Sequence, residues 1–287
     1  MKNPDEELKK KIAIVSTHPI QYNAPWFRLL AKEFNVDLNV FYTWSQSEKG
    51  SKFDPGFGKS ITWDIPLLDG YNYKFIKNTS KEPGSHHFTG ISNPTLIKEI
   101  EQWKPDAILV IGWSFKSHLA CLRYFKKKVP VFFRGDSNLL DESSTSVIKN
   151  WFRKLILSQV YKWVDIAFYV GSNNKEYYKK FGMKPTQLIY APHAIDNKRF
   201  LENKEHFVDQ GKGWRNKLRI KDYETVFLFA GKLESKKNPL LLLDSFIQAD
   251  LPGSHLVFVG NGPLEEKLKS IAEEAFNIHF IPFQNQI

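Results

Sequence analysis

Short apolar runs that end at glycine recur along the chain, and each is followed by a segment with helical spacing. In the C-terminal part, residues 226–230 and 256–259 are apolar and stop at Gly231 and Gly260, with a leucine-rich segment between them. Short strands that alternate with helical patterns are typical of a parallel sheet covered by helices. The pattern therefore predicts a β-α-β-α unit over residues 226–263.

The N-terminal half shows the same alternation over a longer stretch. Its pattern predicts strands at residues 11–16, 36–42, 107–111, 129–134 and 166–170, and helices at residues 25–33, 93–103 and 117–127. Residues 45–90 are rich in Gly, Pro, Ser and aromatic side chains, which predicts loops with short strands. We interpret the chain as two Rossmann-like α/β domains, residues 11–205 and 223–287, with the boundary in the lysine-rich segment 197–223.

The turn after the first of the C-terminal strands carries a basic pair. Lys232 and Lys237 follow Gly231, and ligands of open α/β sheets bind beyond the carboxyl ends of the strands. Asn238 is predicted to cap the next helix through its side chain, and Pro239 suits the first helical position. The positive end of that helix would then favour an anion such as a diphosphate near the lysines. Lysines are common on surfaces, but the second glycine turn favours a binding site here.

The composition of the chain indicates what kind of partner it binds and in which cellular compartment it works. The net charge of +10 favours anionic partners, namely nucleotide-sugar phosphates, acidic lipids or nucleic acid. No nucleic-acid reader motif is present, so nucleic acid is not expected. The single cysteine, Cys121, excludes an internal disulfide and is predicted to lie in the core. No apolar run is long enough for a signal peptide or a membrane span, so a cytoplasmic location is expected.

Residues 149–163 combine basic and apolar side chains at nearly helical spacing. The apolar members are Trp151, Phe152, Leu155, Ile156, Val160 and Trp163. A basic amphipathic helix with tryptophan can lie on a membrane surface, whereas an ordinary surface helix packs its apolar face on the sheet. We favour packing on the sheet, and both roles are compatible if one edge of the helix is exposed. The second role would make the protein peripheral at the inner face of the membrane.

Two C-terminal segments carry a family resemblance. They read FAGKLESKKNPLLLLDSF and HLVFVGNGPLEEKLKSIA, and they resemble the donor half of the retaining nucleotide-sugar glycosyltransferases with the GT-B fold, usually numbered family 4. Lys232 stands where the family usually has arginine, Lys237 stands at the family lysine, and residues 260–263 match the second turn. The segment IYAPHAIDNKRF matches a family pattern at Pro192, Asp196 and Phe200, so the resemblance covers most of residues 11–287.

The resemblance implies a fold, a reaction and a donor site. The fold would be GT-B, and the reaction would move a sugar from a UDP- or GDP-sugar to a glycan or lipid-linked acceptor in surface polysaccharide synthesis. Lys232 and Lys237 would stabilise the leaving diphosphate as catalytic residues, and Gly231, Asn261 and Gly262 would bind the donor. No cofactor beyond the substrate is expected, and no metal, because the chain lacks an Asp-x-Asp motif and a Cys/His cluster.

The first domain supplies candidates for the acceptor side. They lie near the predicted strand ends and are His18, His118, Arg134, Asp136 and His193. Two rival functions stay open: a nucleotide-sugar epimerase of the same fold, and a basic nucleic-acid-binding protein. Binding of UDP- and GDP-sugars, compared with binding of duplex DNA across a salt series, separates these classes, since nucleic-acid binding falls steeply with salt.

The second domain is expected to be partial. A final strand is predicted at residues 278–283, whereas a doubly wound domain normally has about six strands. The family also has a pair of glutamates late in this domain. Glu265 and Glu273, like Glu266 and Glu274, have the family spacing, but they directly follow the glycine turn and are predicted to form a solvated helix face. We expect a chain that is C-terminally truncated relative to the family.

Overall fold

The computed structural model describes residues 9–49, 51–54, 57–140 and 147–285 of the 287-residue chain. These residues form two compact units. Unit 1 comprises Met1–Lys49 and Pro66–Ile195, and unit 2 comprises Gly50–Ile65 and Asp196–Ile287. Unit 2 therefore combines the C-terminal part of the chain with a short segment that interrupts unit 1 in the sequence.

Twelve strands are formed by the described residues. In chain order they are β1 (Lys10–Ser16), β2 (Val36–Tyr42), β3 (Ser51–Asp54), β4 (Lys59–Thr62), β5 (Asn72–Phe75), β6 (Ala107–Ile111), β7 (Val131–Arg134), β8 (Ile166–Tyr169), β9 (Leu188–Tyr190), β10 (Thr225–Ala230), β11 (Ser254–Val259) and β12 (Ile278–Ile281). The α-helices of the same residues are α1 (Ala24–Glu33), α2 (Leu96–Trp103), α3 (Lys116–Phe125), α4 (Val147–Tyr161), α5 (Ser172–Lys180), α6 (Asn197–Glu202), α7 (Lys204–Lys217), α8 (Pro239–Ala249) and α9 (Glu265–Ile271).

Unit 1 is built on a parallel sheet of seven strands in the order β5-β2-β1-β6-β7-β8-β9. The central strand β1 is almost continuously apolar because both of its faces are covered. Ala13 and Val15 belong to one buried cluster, and Ile14 belongs to a second cluster on the opposite face. The polar residues that follow these strands are therefore gathered at the carboxyl edge of one rigid sheet.

Unit 2 contains a smaller parallel sheet in the order β10-β11-β12. Leu243 of α8 and Leu268 of α9 are buried with Phe258 of the sheet. The antiparallel hairpin β3–β4 belongs to this unit as well. Asn285 donates a side-chain hydrogen bond to the Thr62 carbonyl at 2.8 Å, which ties the hairpin to the segment after β12.

The predicted fold class is confirmed, since both sheets are parallel and alternate with helices. The second helix of unit 1 begins at Leu96, later than the predicted residue 93. The reason is that the Asn93 side chain points inward and donates to the carbonyls of Thr43, Ile76 and Lys77 at 2.8, 2.9 and 3.1 Å. A residue that holds three backbone carbonyls in this way stays in the loop.

Helix α4 packs on unit 1 with one face and exposes another. Leu157 and Val160 are buried in the larger core cluster. The exposed apolar side chains, which we call the α4 patch, are Trp151, Phe152, Leu155 and Ile156, each more than half exposed. The prediction that the apolar residues of this segment pack on the sheet is confirmed for Val160 and Trp163 and is wrong for the four residues of the α4 patch. None of the helices that the structure describes is long and apolar enough to span a membrane.

Candidate functional site

The carboxyl edge of unit 2 is formed by two glycine turns that lie against each other. The Gly231 N–H donates to the Val259 carbonyl at 2.9 Å, and the Leu233 N–H donates to the Asn261 carbonyl at 3.1 Å. A Cβ at Gly262 would lie 2.5 Å from the Leu233 carbonyl oxygen, which is closer than real Cβ atoms approach. Glycine at this position is therefore required for the two turns to pack, whatever ligand they hold.

Gly231 has different surroundings from the glycines of the second turn. A Cβ at Gly231 would meet a single atom within 4 Å, on the Phe229 ring at 3.8 Å. Gly260, in contrast, has φ +140°, and its Cβ would lie 2.0 Å from the Gly231 carbonyl oxygen. Gly260 and Gly262 thus serve the packing of the turns, whereas the open side of Gly231 leaves room for a ligand.

The two lysines of the first turn are reached by solvent to different degrees. Lys232 is partly buried, and its Nζ lies 5.2 Å from the centroid of the Phe57 ring. Lys237 ends a single 3-10 turn, Ser235–Lys237, and is exposed. The turn leads directly into α8, an eleven-residue helix with Pro239 in its first turn, as predicted. A ligand at this edge would meet two cations and the positive end of a helix dipole.

Asn238 joins the lysine turn to α8 by its backbone conformation. Its φ of 50° and ψ of 46° are left-handed, and its side chain makes no capping hydrogen bond. The prediction of a side-chain cap is therefore wrong. Asparagine tolerates the left-handed region better than most residues, so the residue type serves the turn geometry.

Asn261 links the second glycine turn to its neighbours. Its side-chain oxygen accepts from the Phe283 N–H at 3.0 Å, and its side-chain nitrogen donates to Glu265 Oε2, also at 3.0 Å. Burial by itself would raise the pKa of Glu265, but hydrogen bonds from Lys269 and Asn261 outweigh it, so that the pKa is lowered. The prediction of a solvated face is wrong for Glu265, whose side chain is 23% exposed, and fits Glu266, which is 91% exposed.

A cavity of about 610 Å³ lies beside the second glycine turn within unit 2. Its lining consists of Phe57, Gly58, Asn261, Gly262, Pro263, Glu265 and Pro282. Pockets for small molecules are commonly about 300–1,000 Å³. The sequence offered no signal for Phe57, because this residue lies in the loop-rich stretch 45–90, far from the rest of unit 2 along the chain.

At the carboxyl edge of unit 1, three of the acceptor-side candidates lie near the aromatic rings of Trp44 and Tyr22. His18 packs edge-on against Trp44 with the ring centroids 5.5 Å apart. His193 packs edge-on against Tyr22 at 6.3 Å. Partial burial, and then the charge of Asp136, raise the pKa of Tyr22. The structure therefore brings Tyr22 together with His193 and Asp136, and Tyr22 is a residue that the sequence did not single out.

The other two acceptor-side candidates are bonded to the scaffold. Arg134 donates to the carbonyls of Ala191 and Pro192 at 2.7 and 3.1 Å, which holds the segment that leads to His193. His118 is completely buried. Its Nδ1 lies 3.0 Å from the carbonyl oxygens of both Ile111 and Gly112, and its Nε2 lies 2.9 Å from Thr43 Oγ1.

His118 and Cys121 are both fully buried in unit 1. Burial lowers the pKa of His118 to about 4 against the opposing effect of its backbone hydrogen bonds, so the ring is neutral at pH 7. Cys121 is buried in the core, as predicted. Across the part of the chain that the structure describes, no three His, Cys, Asp or Glu side chains are grouped so that they could hold a metal ion.

Comparisons with known proteins agree with this architecture. Residues 212–287, which include both glycine turns, match the family model of Glycosyl transferases group 1. Anabaena HepE, solved in complex with UDP-glucose, superposes with a TM-score of 0.58 at 13% identity, over 96% of this chain and 69% of HepE. The chain has the GT-B fold. No curated protein matches the chain in sequence.

Two further solved structures share the fold, and one is named as a galactosyltransferase and the other as an epimerase. The lipopolysaccharide outer core galactosyltransferase WaaB has a TM-score of 0.52 at 15% identity, over 96% of this chain and 68% of WaaB. UDP-GlcNAc 2-epimerase from Methanocaldococcus jannaschii has a TM-score of 0.55 at 15% identity, over 96% of this chain and 74% of the epimerase. At these identities the likeness establishes the fold.

Proposed function

We propose that the protein is a retaining glycosyltransferase of family 4, which moves a sugar from a UDP- or GDP-sugar to a glycan or lipid-linked acceptor in surface polysaccharide synthesis. The observation that carries the proposal is the edge of unit 2, where Lys232 and Lys237 lie in the turn that leads from β10 into α8, and this turn is packed against a second glycine turn. That edge lies inside the stretch that matches the glycosyltransferase family model. HepE, which has the same fold, was solved with a UDP-sugar.

The reaction that we propose depends on charge at this edge. The acceptor hydroxyl forms a bond to the anomeric carbon as the bond from that carbon to the diphosphate oxygen breaks. Lys232, Lys237 and the N-terminus of α8 stabilise the negative charge that develops on the diphosphate, and one such donor lowers the barrier by about 2.7–4 kcal/mol in comparable oxyanion sites. The leaving diphosphate takes the acceptor proton on the same face, so a pair of carboxylates of the glycosidase kind is not needed.

We assign the acceptor to the carboxyl edge of unit 1. His18, Asp136 and His193 lie there beside Trp44 and Tyr22. Aromatic faces with adjacent polar groups suit a sugar, which has both apolar C–H faces and hydroxyl groups. Arg134 contributes to acceptor binding indirectly, because its hydrogen bonds position the segment before His193.

The alternative function is that of a nucleotide-sugar epimerase, which is supported by the structural likeness to solved epimerases. UDP-GlcNAc 2-epimerases have the same fold at similar TM-scores. An epimerase would convert its nucleotide sugar without any acceptor, so incubation with UDP-N-acetylglucosamine alone distinguishes the two activities. Appearance of a second anomeric signal in the proton NMR spectrum would favour the epimerase. An unchanged spectrum, together with sugar transfer when glycan acceptors are added, would favour the transferase.

A thermal-shift screen tests the donor assignment. Stabilisation by UDP, GDP or one of their sugars is expected, since a ligand at 100 times its Kd adds about 2.7 kcal/mol of stability. Duplex DNA in a salt series is the comparison. Stabilisation by DNA that falls steeply with salt, with no response to any nucleotide, would contradict the proposal and favour nucleic-acid binding.

We also propose that the protein works in the cytoplasm at the inner face of the membrane, with the α4 patch against the lipid. The patch exposes four apolar side chains, and Lys154 and Lys162 are exposed on and just after the same helix. Basic residues near an anionic surface contribute about 1 kcal/mol each. Apolar and basic groups together fit the interface of a membrane that contains anionic lipid.

Vesicle co-sedimentation tests this location. The wild-type protein should bind vesicles that contain anionic phosphatidylglycerol more strongly than neutral phosphatidylcholine vesicles. A Trp151→Ser, Phe152→Ser double variant should lose most of that binding, whereas Phe276→Ser, which changes an 88% exposed aromatic side chain of unit 2, should retain it. Equal binding to both kinds of vesicle would count against the electrostatic part, and full binding by the double variant would exclude the α4 patch.

A further inference from the structure

The turn after β7 carries an exposed carboxylate between two residues whose backbone is bonded to the scaffold. Asp136 is exposed and follows Gly135, the first residue after β7 at the carboxyl edge of the large sheet. The backbone groups of Gly135 and Ser137 form hydrogen bonds with side chains of α5. The turn is therefore held on both sides of a carboxylate that solvent can reach.

Tyr178 of α5 holds Gly135 by both of its backbone polar groups. The Gly135 N–H donates to the Tyr178 hydroxyl at 3.1 Å, and this hydroxyl donates to the Gly135 carbonyl at 2.9 Å. Tyr178 is fully buried, and burial raises the pKa of its phenol, so the hydroxyl keeps the proton that it donates. A Cβ on residue 135 would lie 3.2 Å from the Phe133 ring and 3.4 Å from the hydroxyl, so glycine permits the close approach.

Asn174 holds the other side of the turn. It lies four residues before Tyr178, and positions with this spacing share one face of a helix. Its Nδ2 donates to the Ser137 carbonyl at 2.7 Å, and its Oδ1 accepts from the Val170 N–H at 3.0 Å. Because Val170 directly follows β8, this buried side chain joins the turn after β7 to the end of the neighbouring strand.

The charge of Asp136 acts on other groups of the acceptor side. Burial, and then the charge of Asp136, raise the pKa of Tyr22. Burial lowers the pKa of Arg134, and the charges of Tyr178 and Asp136 oppose this effect. The fixed turn therefore places the carboxylate within electrostatic reach of Tyr22 and Arg134.

We infer that Tyr178 and Asn174 are positioning residues of the acceptor site, which fix the backbone around Asp136 so that its carboxylate accepts a hydrogen bond from an acceptor-sugar hydroxyl. Hydroxyl groups donate short, strong hydrogen bonds to carboxylates, and the Tyr22 ring offers a surface for the C–H face of the same sugar. Neither Tyr178 nor Asn174 touches the acceptor. The inference rests on the proposed acceptor site, and it names the residues that fix its geometry.

A fluorine label on Tyr22 tests the positioning without any sugar. 3-Fluorotyrosine is placed at position 22 of the whole chain, because fluorine lowers the pKa of the phenol towards neutrality, and fluorine NMR follows its ionisation. Asp136→Asn, which removes the charge, should lower the pKa of the label. Tyr178→Phe and Asn174→Ala should lower this pKa as well, because each variant releases the turn that carries Asp136.

Matched variants on the same helix serve as controls for the label. Tyr177→Phe removes the hydroxyl of a buried tyrosine that bonds to Arg153, and Asn173→Ala changes an exposed asparagine. Both should leave the pKa of the label at the wild-type value. A wild-type pKa in Asp136→Asn, or in both Tyr178→Phe and Asn174→Ala, would overturn the inference.

Binding to an array of bacterial polysaccharides tests the role in acceptor binding. The glycan that the wild type retains most strongly should bind about tenfold more weakly to Asp136→Ala and Tyr178→Phe, the effect of about one lost hydrogen bond. Tyr177→Phe should bind it like the wild type. Wild-type glycan affinity in Tyr178→Phe would overturn this inference alone. Failure of the wild type to retain any glycan would overturn both the proposed acceptor site and the role of Asp136 in it.

Discussion

The carboxyl edges of the two sheets carry polar side chains at equivalent places, after parallel strands, but use them differently. In unit 1, Arg134 donates hydrogen bonds to loop carbonyls. His118 forms hydrogen bonds with two backbone carbonyls and with the Thr43 hydroxyl. In unit 2, Lys232 is partly buried beside an aromatic ring and Lys237 is exposed to solvent. The position after a strand therefore does not by itself make a polar residue part of a binding site.

The pairing of backbone groups explains the difference. In unit 1, loop carbonyls accept hydrogen bonds from side chains such as Asn93 and Arg134, because buried polar groups are costly when unpaired. In unit 2, the backbone groups of the two glycine turns bond to each other, as Gly231 does to Val259. A turn that satisfies its own backbone leaves its side chains for a ligand.

The largest expected effect is a loss of sugar-transfer rate when either of the two lysines at the edge of unit 2 is replaced. Lys232→Ala and Lys237→Ala should each lower the rate of sugar transfer about a hundredfold, or about 2.7 kcal/mol, as removal of one charge-stabilising donor does. Their melting temperatures should stay close to that of the wild type. Lys236→Ala, which removes an exposed neighbouring charge, is the matched control and should keep the rate. Wild-type kinetics in both of the first two variants would show that this edge is not the donor site.

A smaller effect, on stability, is expected for Arg134 of unit 1. Arg134→Ala removes two hydrogen bonds from a charged group to the Ala191 and Pro192 carbonyls, and should cost about 2 kcal/mol in the free energy of unfolding. Urea denaturation followed by circular dichroism measures it. Arg123→Ala, an exposed arginine on α3, should change stability by about 0.5 kcal/mol or less. If the two variants are equally stable, Arg134 does not hold its loop as we describe.

The smallest effect is a pH dependence from His118. Because its folded pKa is about 4, below the ordinary value of 6.5, the unfolded chain takes up the proton first as the pH falls. The stabilisation is fully present well above pH 6.5 and is lost towards pH 4, with a loss of about 1 kcal/mol between pH 6.5 and 5.5.

Comparison of two histidine variants isolates the His118 contribution. His118→Gln should reduce the pH slope of the free energy of unfolding over this interval, whereas His206→Gln, at an exposed histidine of unit 2, should keep the wild-type slope. Urea titrations at several pH values provide the slopes. An unchanged slope in His118→Gln would mean that this ring is not buried as a neutral group.

The sequence by itself determined the alternation of strands and helices. Strands β2 and β6 have the predicted bounds, 36–42 and 107–111, and the β-α-β-α unit after residue 225 is present. The reason is that hydrophobic periodicity is a local property, which neighbouring residues are enough to reveal. The positions of the two lysines and of the glycine turns were likewise predictable from the sequence, because they depend only on one turn and the helix that follows it.

Only the tertiary structure decided which residues surround those turns. Phe57 comes to Lys232 through a hairpin 170 or so positions away in the chain, Glu265 is drawn into hydrogen bonds with Asn261, and Asn238 takes a left-handed conformation instead of a cap. His118 is likewise buried and bonded to the scaffold by residues that tertiary packing brings to it, among them Thr43. Contacts between residues distant in sequence depend on how strands and loops pack, and no local pattern records that packing.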